Sequence, residues 1–202
     1  ISPRDWSSDV CSSDLLGMNC LRKHVKVESE RYYAWCDRIG LLVWQDMPSM
    51  SGYIGPNDPD ATLAPEATAQ WEVELRAMMA TLHNHPSIVH WVVFNEGWGQ
   101  HDTDARVKLA KELDPSRIIT GASGWTDRAN SDVHDLHIYP EPHAFEATHG
   151  RAGVVGEFGG FGLRVEGHTW AKDDWGYRGT KSREELTDAI VESFRILHEA
   201  RK

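Results

Sequence analysis

Two hydrophobic rhythms alternate along the chain: short β-branched runs, and longer stretches whose apolar residues recur at three- and four-residue steps. The runs at 41–46, 88–94, 117–122 and 152–157 are mostly apolar and bounded by turn formers, as expected of strands buried on both faces of a parallel sheet. Residues 17–25 and 133–139 predict two more strands. Period-two alternation puts Cys20, Arg22 and His24 on one face of the first, and Asp135, His137 and Tyr139 on one face of the other. Residues 30–39 predict a helix with Tyr32, Tyr33 and Cys36 inward and Gly40 as its stop. A second helix, over 65–84, sets Trp71, Leu75, Met78, Met79 and Leu82 on one stripe, with Pro65 in its first turn. A short helix over 104–113 and a final one from Ser182 to about Ala200 complete the set, the last opened by Ser182 and Glu185 as a capping box. Residues 49–65 and 158–179, rich in glycine and turn formers or aromatics, read as long loops.

Six strands thus alternate with helices and end at His24, Asp46, Glu96, Trp125, Tyr139 and Glu157, all polar or aromatic. Chemistry gathered at strand C-terminal ends is the habit of an α/β barrel rather than of an open doubly wound sheet. Two ends stand out. Asn95-Glu96-Gly97-Trp98-Gly99 and Gly156-Glu157-Phe158-Gly159-Gly160 each put a carboxyl where a buried strand meets glycine. A single glutamate there reads equally well as the start of a loop that caps the next helix. Two of them, about sixty residues apart, leave room for two intervening strand–helix units. A pair of carboxyls reaching one pocket from different strands is what glycoside hydrolysis needs.

Composition narrows the field. A net charge of −10 over 202 residues argues against nucleic acid or an anionic membrane as partner. No run approaches the ~20 apolar residues that span a bilayer. Three cysteines at unpaired spacing suggest neither a disulfide framework nor a metal knuckle. No glycine-rich phosphate loop is present, so no dinucleotide is expected and no cofactor is called for. His83, His85, His90 and His101 fit no zinc spacing, and the first two precede their strand, where a stabilising role is expected. Nine tryptophans serve core packing and, at some positions, stacking on sugar rings. Residues 1–14 repeat Ser-Ser-Asp at a five-residue period that suits neither helix nor strand, and the first residue is Ile1. That stretch resembles a translated sequencing adapter and is set apart from the fold, which occupies 15–202.

The segments NCLRKHVKVESERYYAWCDRIGLLVWQDMP, HNHPSIVHWVVFNEGWGQ, SGW, DLHIYP and VVGEFGG together resemble the catalytic barrel of glycoside hydrolase family 2, which includes β-galactosidases, β-glucuronidases and β-mannosidases. The resemblance implies a (β/α)8 barrel of which the six strands are the second to seventh. It also implies that the first and eighth strands, and the family's β-sandwich domains, belong to a longer parent chain. The isolated 202 residues are then expected to be poorly soluble or inactive. The alternatives to a retaining β-glycosidase are a carbohydrate-binding barrel that has lost turnover through truncation and, behind it, a metal-dependent hydrolase. By the same resemblance Glu157 is the nucleophile and Glu96 the acid/base of a retaining mechanism, with carboxyls ~5–5.5 Å apart. Asn95 matches the ligand of the sugar 2-hydroxyl, and Tyr139 the tyrosine that orients the nucleophile. Arg22 holds Glu157 ionised or forms a structural ion pair; Asp46 binds a sugar hydroxyl or pairs with Arg22. His137 and Trp125 are candidate walls of the sugar subsite, and Trp98 and Trp170 candidate stacking plates. Many β-galactosidases carry a histidine three residues after this arginine. Here His24 stands two after it and Val25 takes the third place, so the sugar is left open.

Overall fold

The computed structural model describes residues 17–169 and 176–200; the stretch 1–14 and Trp170 lie outside them. The chain divides into two compact units after Val133.

In the first unit, β1 (Cys20–Lys23), β2 (Leu42–Asp46), β3 (Ile88–Asn95) and β4 (Ile118–Ser123) form one parallel sheet in the order β1-β2-β3-β4. Spatial order equals chain order, so each crossover adds its strand on the same side. A doubly wound sheet would reverse direction. The crossovers carry α1 (Glu30–Ile39), α2 (Pro65–Leu82) and α3 (Thr103–Leu113). Helix α1 ends where Gly40 turns left-handed (φ 75°), and α2 starts on Pro65, whose missing N–H costs nothing there. Helix α3 has no side-chain cap of its own. Asp60, from the loop after β2, accepts the Thr103 N–H at 2.6 Å and is held in turn by Arg128 at 3.0 Å.

One hydrophobic cluster lies between sheet and helices: Tyr33 and Cys36 of α1, Trp71, Leu75 and Leu82 of α2 and Ala110 of α3 close on Val43, Trp91, Val93 and Ile119. Burial pushes the Tyr33 phenol up to about 12, so it stays a donor, and it bonds Gln45 Oε1 at 2.5 Å. The lead-in to β3 is tied by polar contacts. His85 Nδ1 meets Asp37 at 2.7 Å, and Arg117 donates to the carbonyls of His83 and His85 at 2.8 and 3.1 Å. These two histidines therefore sit in structural contacts at the strand's N-terminal end.

In the second unit β5 (Val133–Ile138) pairs with β6 (Ala152–Phe158), and α4 (Arg183–Ala200) follows. Ser182 Oγ accepts the Glu185 N–H at 3.1 Å, and Glu185 reaches back to the Lys181 N–H at 2.8 Å. The stretch 158–179, expected to be one long loop, contains two more strands: β7 (Phe161–Leu163) pairs in parallel with β8 (Arg178–Thr180). Three-residue strands fall below what side-chain periodicity can register. Theirs is set by pairing across the intervening chain, with Thr180 Oγ1 donating to Gly162 O at 2.9 Å.

Candidate active site

At the C-terminal ends of β1–β4 one guanidinium gathers a side chain from each strand. Arg22 Nε donates to Asp46 Oδ1 at 3.0 Å and Nη2 to Asp46 Oδ2 at 2.8 Å. The same Nη2 lies 2.8 Å from Asn95 Oδ1 and 3.0 Å from Ser123 Oγ, and Ser123 Oγ donates to Asn95 Oδ1 at 3.1 Å. The Arg22 and Asp46 side chains are 11% and 1% exposed, so the pair works at low dielectric, where charge-assisted bonds are strong. Burial pushes the Asp46 carboxyl up against the opposing pull of Arg22 and the Val25 N–H. Both Asp46 oxygens are engaged by Arg22. Ser123, the last residue of β4 and not singled out from the sequence, is the fourth member. With Oδ1 of Asn95 occupied by two donors, the amide presents its NH2 side elsewhere, as a donor.

Glu96 follows directly. It is half-buried, and its backbone is left-handed (φ 46°), a conformation that a non-glycine residue rarely adopts and that recurs at functional positions. Its N–H donates to Ser123 O at 3.2 Å, and the Trp98 N–H to Asn95 O at 2.8 Å, closing a tight turn. His24 is exposed, with Nδ1 3.8 Å from Asp46 Oδ2, and Trp125 is half-buried. Trp98 is exposed and meets Tyr53 ring to ring at 5.4 Å.

In the second unit the Tyr139 hydroxyl donates to Glu157 Oε2, and His137 Nε2 lies 3.5 Å from Oε1. His137 is buried beside Asp135, 4.0 Å from the same nitrogen. Gly156 leaves the room that Asp135 occupies: any Cβ there would collide with its carboxylate. Tyr139 stacks on Tyr177 with centroids 4.0 Å apart and planes 11° apart, which fixes the ring behind the hydroxyl. A tyrosine O–H on one oxygen pins the rotamer of the carboxyl. Tyr177 was not singled out from sequence, because the 158–179 stretch carries no periodicity to locate it.

The profile of Glycosyl hydrolases family 2, TIM barrel domain, matches residues 3–147, from within the set-apart stretch to past β5. A β-galactosidase of Thermoanaerobacterium thermosulfurigenes is 33% identical over 133 residues, covering 61% of this chain and 16% of that protein. A β-glucuronidase of Bacteroides fragilis is 29% identical over 137 residues, covering 64% and 19%. The chain thus spans about a fifth or less of the length of these curated relatives. Among solved structures, a family 2 β-galacturonidase from Eisenbergiella tayi bound to galacturonate superposes over 95% of this chain and 37% of its own, with a TM-score of 0.69 at 22% identity. A β-glucuronidase from Parabacteroides merdae superposes over 71% and 18%, with a TM-score of 0.57 at 20% identity. At these identities the superpositions speak for the fold alone, a (β/α)8 barrel to which the strand–helix alternation seen here belongs. The family profile covers well over half of the chain, which is therefore a member of glycoside hydrolase family 2 and carries part of its TIM-barrel domain.

Proposed function

We propose that this chain carries the catalytic carboxyls of a retaining β-glycosidase, β-galactosidase-like in its motifs, with Glu157 as nucleophile and Glu96 as acid/base. The observation that carries the reading is the hydrogen bond from Tyr139 to Glu157 at the end of β6, in a chain of this family. It equips that glutamate as an oriented nucleophile, while Glu96 follows the end of β3 next to an amide braced by Arg22. In the first step a Glu157 oxygen bonds to the anomeric carbon as the glycosidic C–O bond breaks, and Glu96 gives its proton to the departing oxygen. In the second step a water oxygen bonds to the same carbon, Glu96 takes the water's proton, and Glu157 leaves as a carboxylate. Asn95 donates to the sugar 2-hydroxyl, an interaction that strengthens as charge develops at the anomeric carbon. Arg22 and Asp46 act by bracing Asn95, and His137 and Trp125 wall the sugar subsite. The substrate is a β-linked carbohydrate. Residues 15–202 act as the catalytic portion of a longer enzyme, and the relatives' names make galactosides and uronides the first substrates to try.

Azide rescue tests both assignments. A panel of aryl β-glycosides identifies the sugar; Glu157→Ala then abolishes turnover, and added azide yields the α-glycosyl azide. Glu96→Ala retains slow turnover of activated substrates and yields the β-glycosyl azide. Interchanged products, or wild-type hydrolysis with inverted configuration by NMR, would refute the roles.

A further inference from the structure

The loop after β2 folds back onto the turn that follows Glu96. Tyr53 and Trp98 form an antiparallel bridge, the Ile54 N–H donates to Gly97 O at 3.3 Å, and the Gly99 N–H donates to Gly52 O at 2.6 Å. Only glycine allows so close an approach. Gly97 and Gly99 have φ of 80° and 64°, and a Cβ on them would lie 2.5 Å from Ile54 O and 2.6 Å from Met50 Cβ. The zipped loops hold the Tyr53 and Trp98 rings 5.4 Å apart at 55° to each other. They are 47% and 43% exposed, whereas Trp71 and Trp91 in the same unit are buried. Two aromatic rings are thus fixed on a tied backbone with close to half of each residue open to solvent, an arrangement that binds at small entropic cost.

We infer that Tyr53 and Trp98 form an angled aromatic notch that receives the leaving-group half of the substrate. This rests on the reading of Glu96 as acid/base. The group that protonates the departing oxygen borders whatever that oxygen carries, and Trp98 stands two residues beyond Glu96 in the turn closed on Asn95. Within four residues the chain passes from the ligand of the sugar ring, Asn95, to the surface that the departing ring crosses. The shared chemistry of the ligand is a ring with a flat apolar face, pyranose or aromatic.

Three substrates with one sugar and different leaving groups test this: the β-glycosyl fluoride, the phenyl β-glycoside and a disaccharide, given to the enzyme and to its Trp98→Ala, Trp98→Phe and Tyr53→Ala forms. The ratio of kcat/KM for the phenyl glycoside to that for the fluoride is expected to fall on the order of 10-fold in Trp98→Ala, to fall less in Tyr53→Ala, and to recover in Trp98→Phe. An equal fall for the disaccharide marks a sugar as the occupant, and a fall for the phenyl arm alone marks an aryl group. Ratios that stay within about two-fold in both alanine forms overturn the notch while leaving the hydrolase reading intact. These assays use the full-length parent enzyme, and if its unmodified form turns over no glycoside, the hydrolase reading fails instead. Saturation-transfer NMR with the phenyl glycosides then decides the notch: transfer to the aryl protons that disappears in Trp98→Ala supports it, and equal or absent transfer in both overturns it.

Discussion

Replacing Arg22 by methionine isolates the tie across β1–β4. The substitution keeps most of the aliphatic volume and removes three things: two bonds to Asp46, the charged donor on Asn95, and the donor on Ser123. Asn95 and Ser123 keep their mutual bond, so the main penalty is the Asp46 charge left in a site where its side chain is 1% exposed. Breaking a buried pair from one side costs about 3–5 kcal/mol. Asp46→Leu alone strands an 11%-exposed guanidinium, which reaches water more easily, for about 2–4 kcal/mol. The double variant leaves neither charge. It loses an acceptor for the Val25 N–H, worth about 1 kcal/mol, and part of the positioning of Asn95. The double variant is therefore expected to cost about 1–3 kcal/mol, well below the sum of the singles. Urea denaturation followed by tryptophan fluorescence reads each value from the midpoint at constant m. Single losses below about 1 kcal/mol, or losses that add to within about 0.5 kcal/mol, would refute the view that these groups act as one buried pair.

His90, buried with Nε2 2.6 Å from Thr120 Oγ1 and its ring 3.9 Å from Trp44, is pushed down to about 3, first by burial and then by the charge of Arg22. The unfolded chain takes up a proton near pH 6.5 and the folded one does not, so this contribution is complete above pH ~6.5 and is lost as pH falls toward 3. At pH 5 the loss is about 2 kcal/mol, and denaturation midpoints against pH should show a shallower slope in His90→Gln. Tyr139→Phe removes the donor on Glu157 while keeping the stack on Tyr177; kcat should fall roughly 10–100-fold with little change in stability, measured by initial rates and thermal melts. Asp60→Ala uncaps α3 and frees Arg128, for about 1–2 kcal/mol, with faster amide exchange in the first turn of α3 as the readout. Glu96→Gly should be more stable than Glu96→Gln by about 1 kcal/mol, because only glycine is at ease at φ 46°; equal melting points would argue against strain there.

Much of the first unit was legible because β3 and β4, and most of β2, are buried on both faces and its helices carry stripes. Trp71, Leu75, Met78, Met79 and Leu82 mark α2 in sequence as clearly as in the core. Gly40 and Pro65 mark their helix ends through backbone preferences that no neighbour overrides. The strand-end residues were legible as positions but not as partners. Nothing local in Arg22 or Asp46 says that their bonds extend to Asn95 and Ser123, since these depend on register across the sheet. Residues 158–179 were illegible for a related reason: glycine removes the side-chain alternation that would reveal β7, and its partner β8 starts fifteen positions after it ends. Tyr53 went unnoticed because its meaning comes from Trp98, which the glycines bring alongside.

The bond from Arg22 to Ser123 closes a sequence separation of 101 positions. A ribosome adding ~5–20 residues each second takes roughly 5–20 s to make the second residue after the first. Throughout that interval the guanidinium has already been made while its last acceptor does not yet exist. The rim of the barrel is thus the late-setting part of this sheet: hydrophobic layers below it can condense pair by pair, but the amide of Asn95 acquires its final orientation only when the fourth strand arrives.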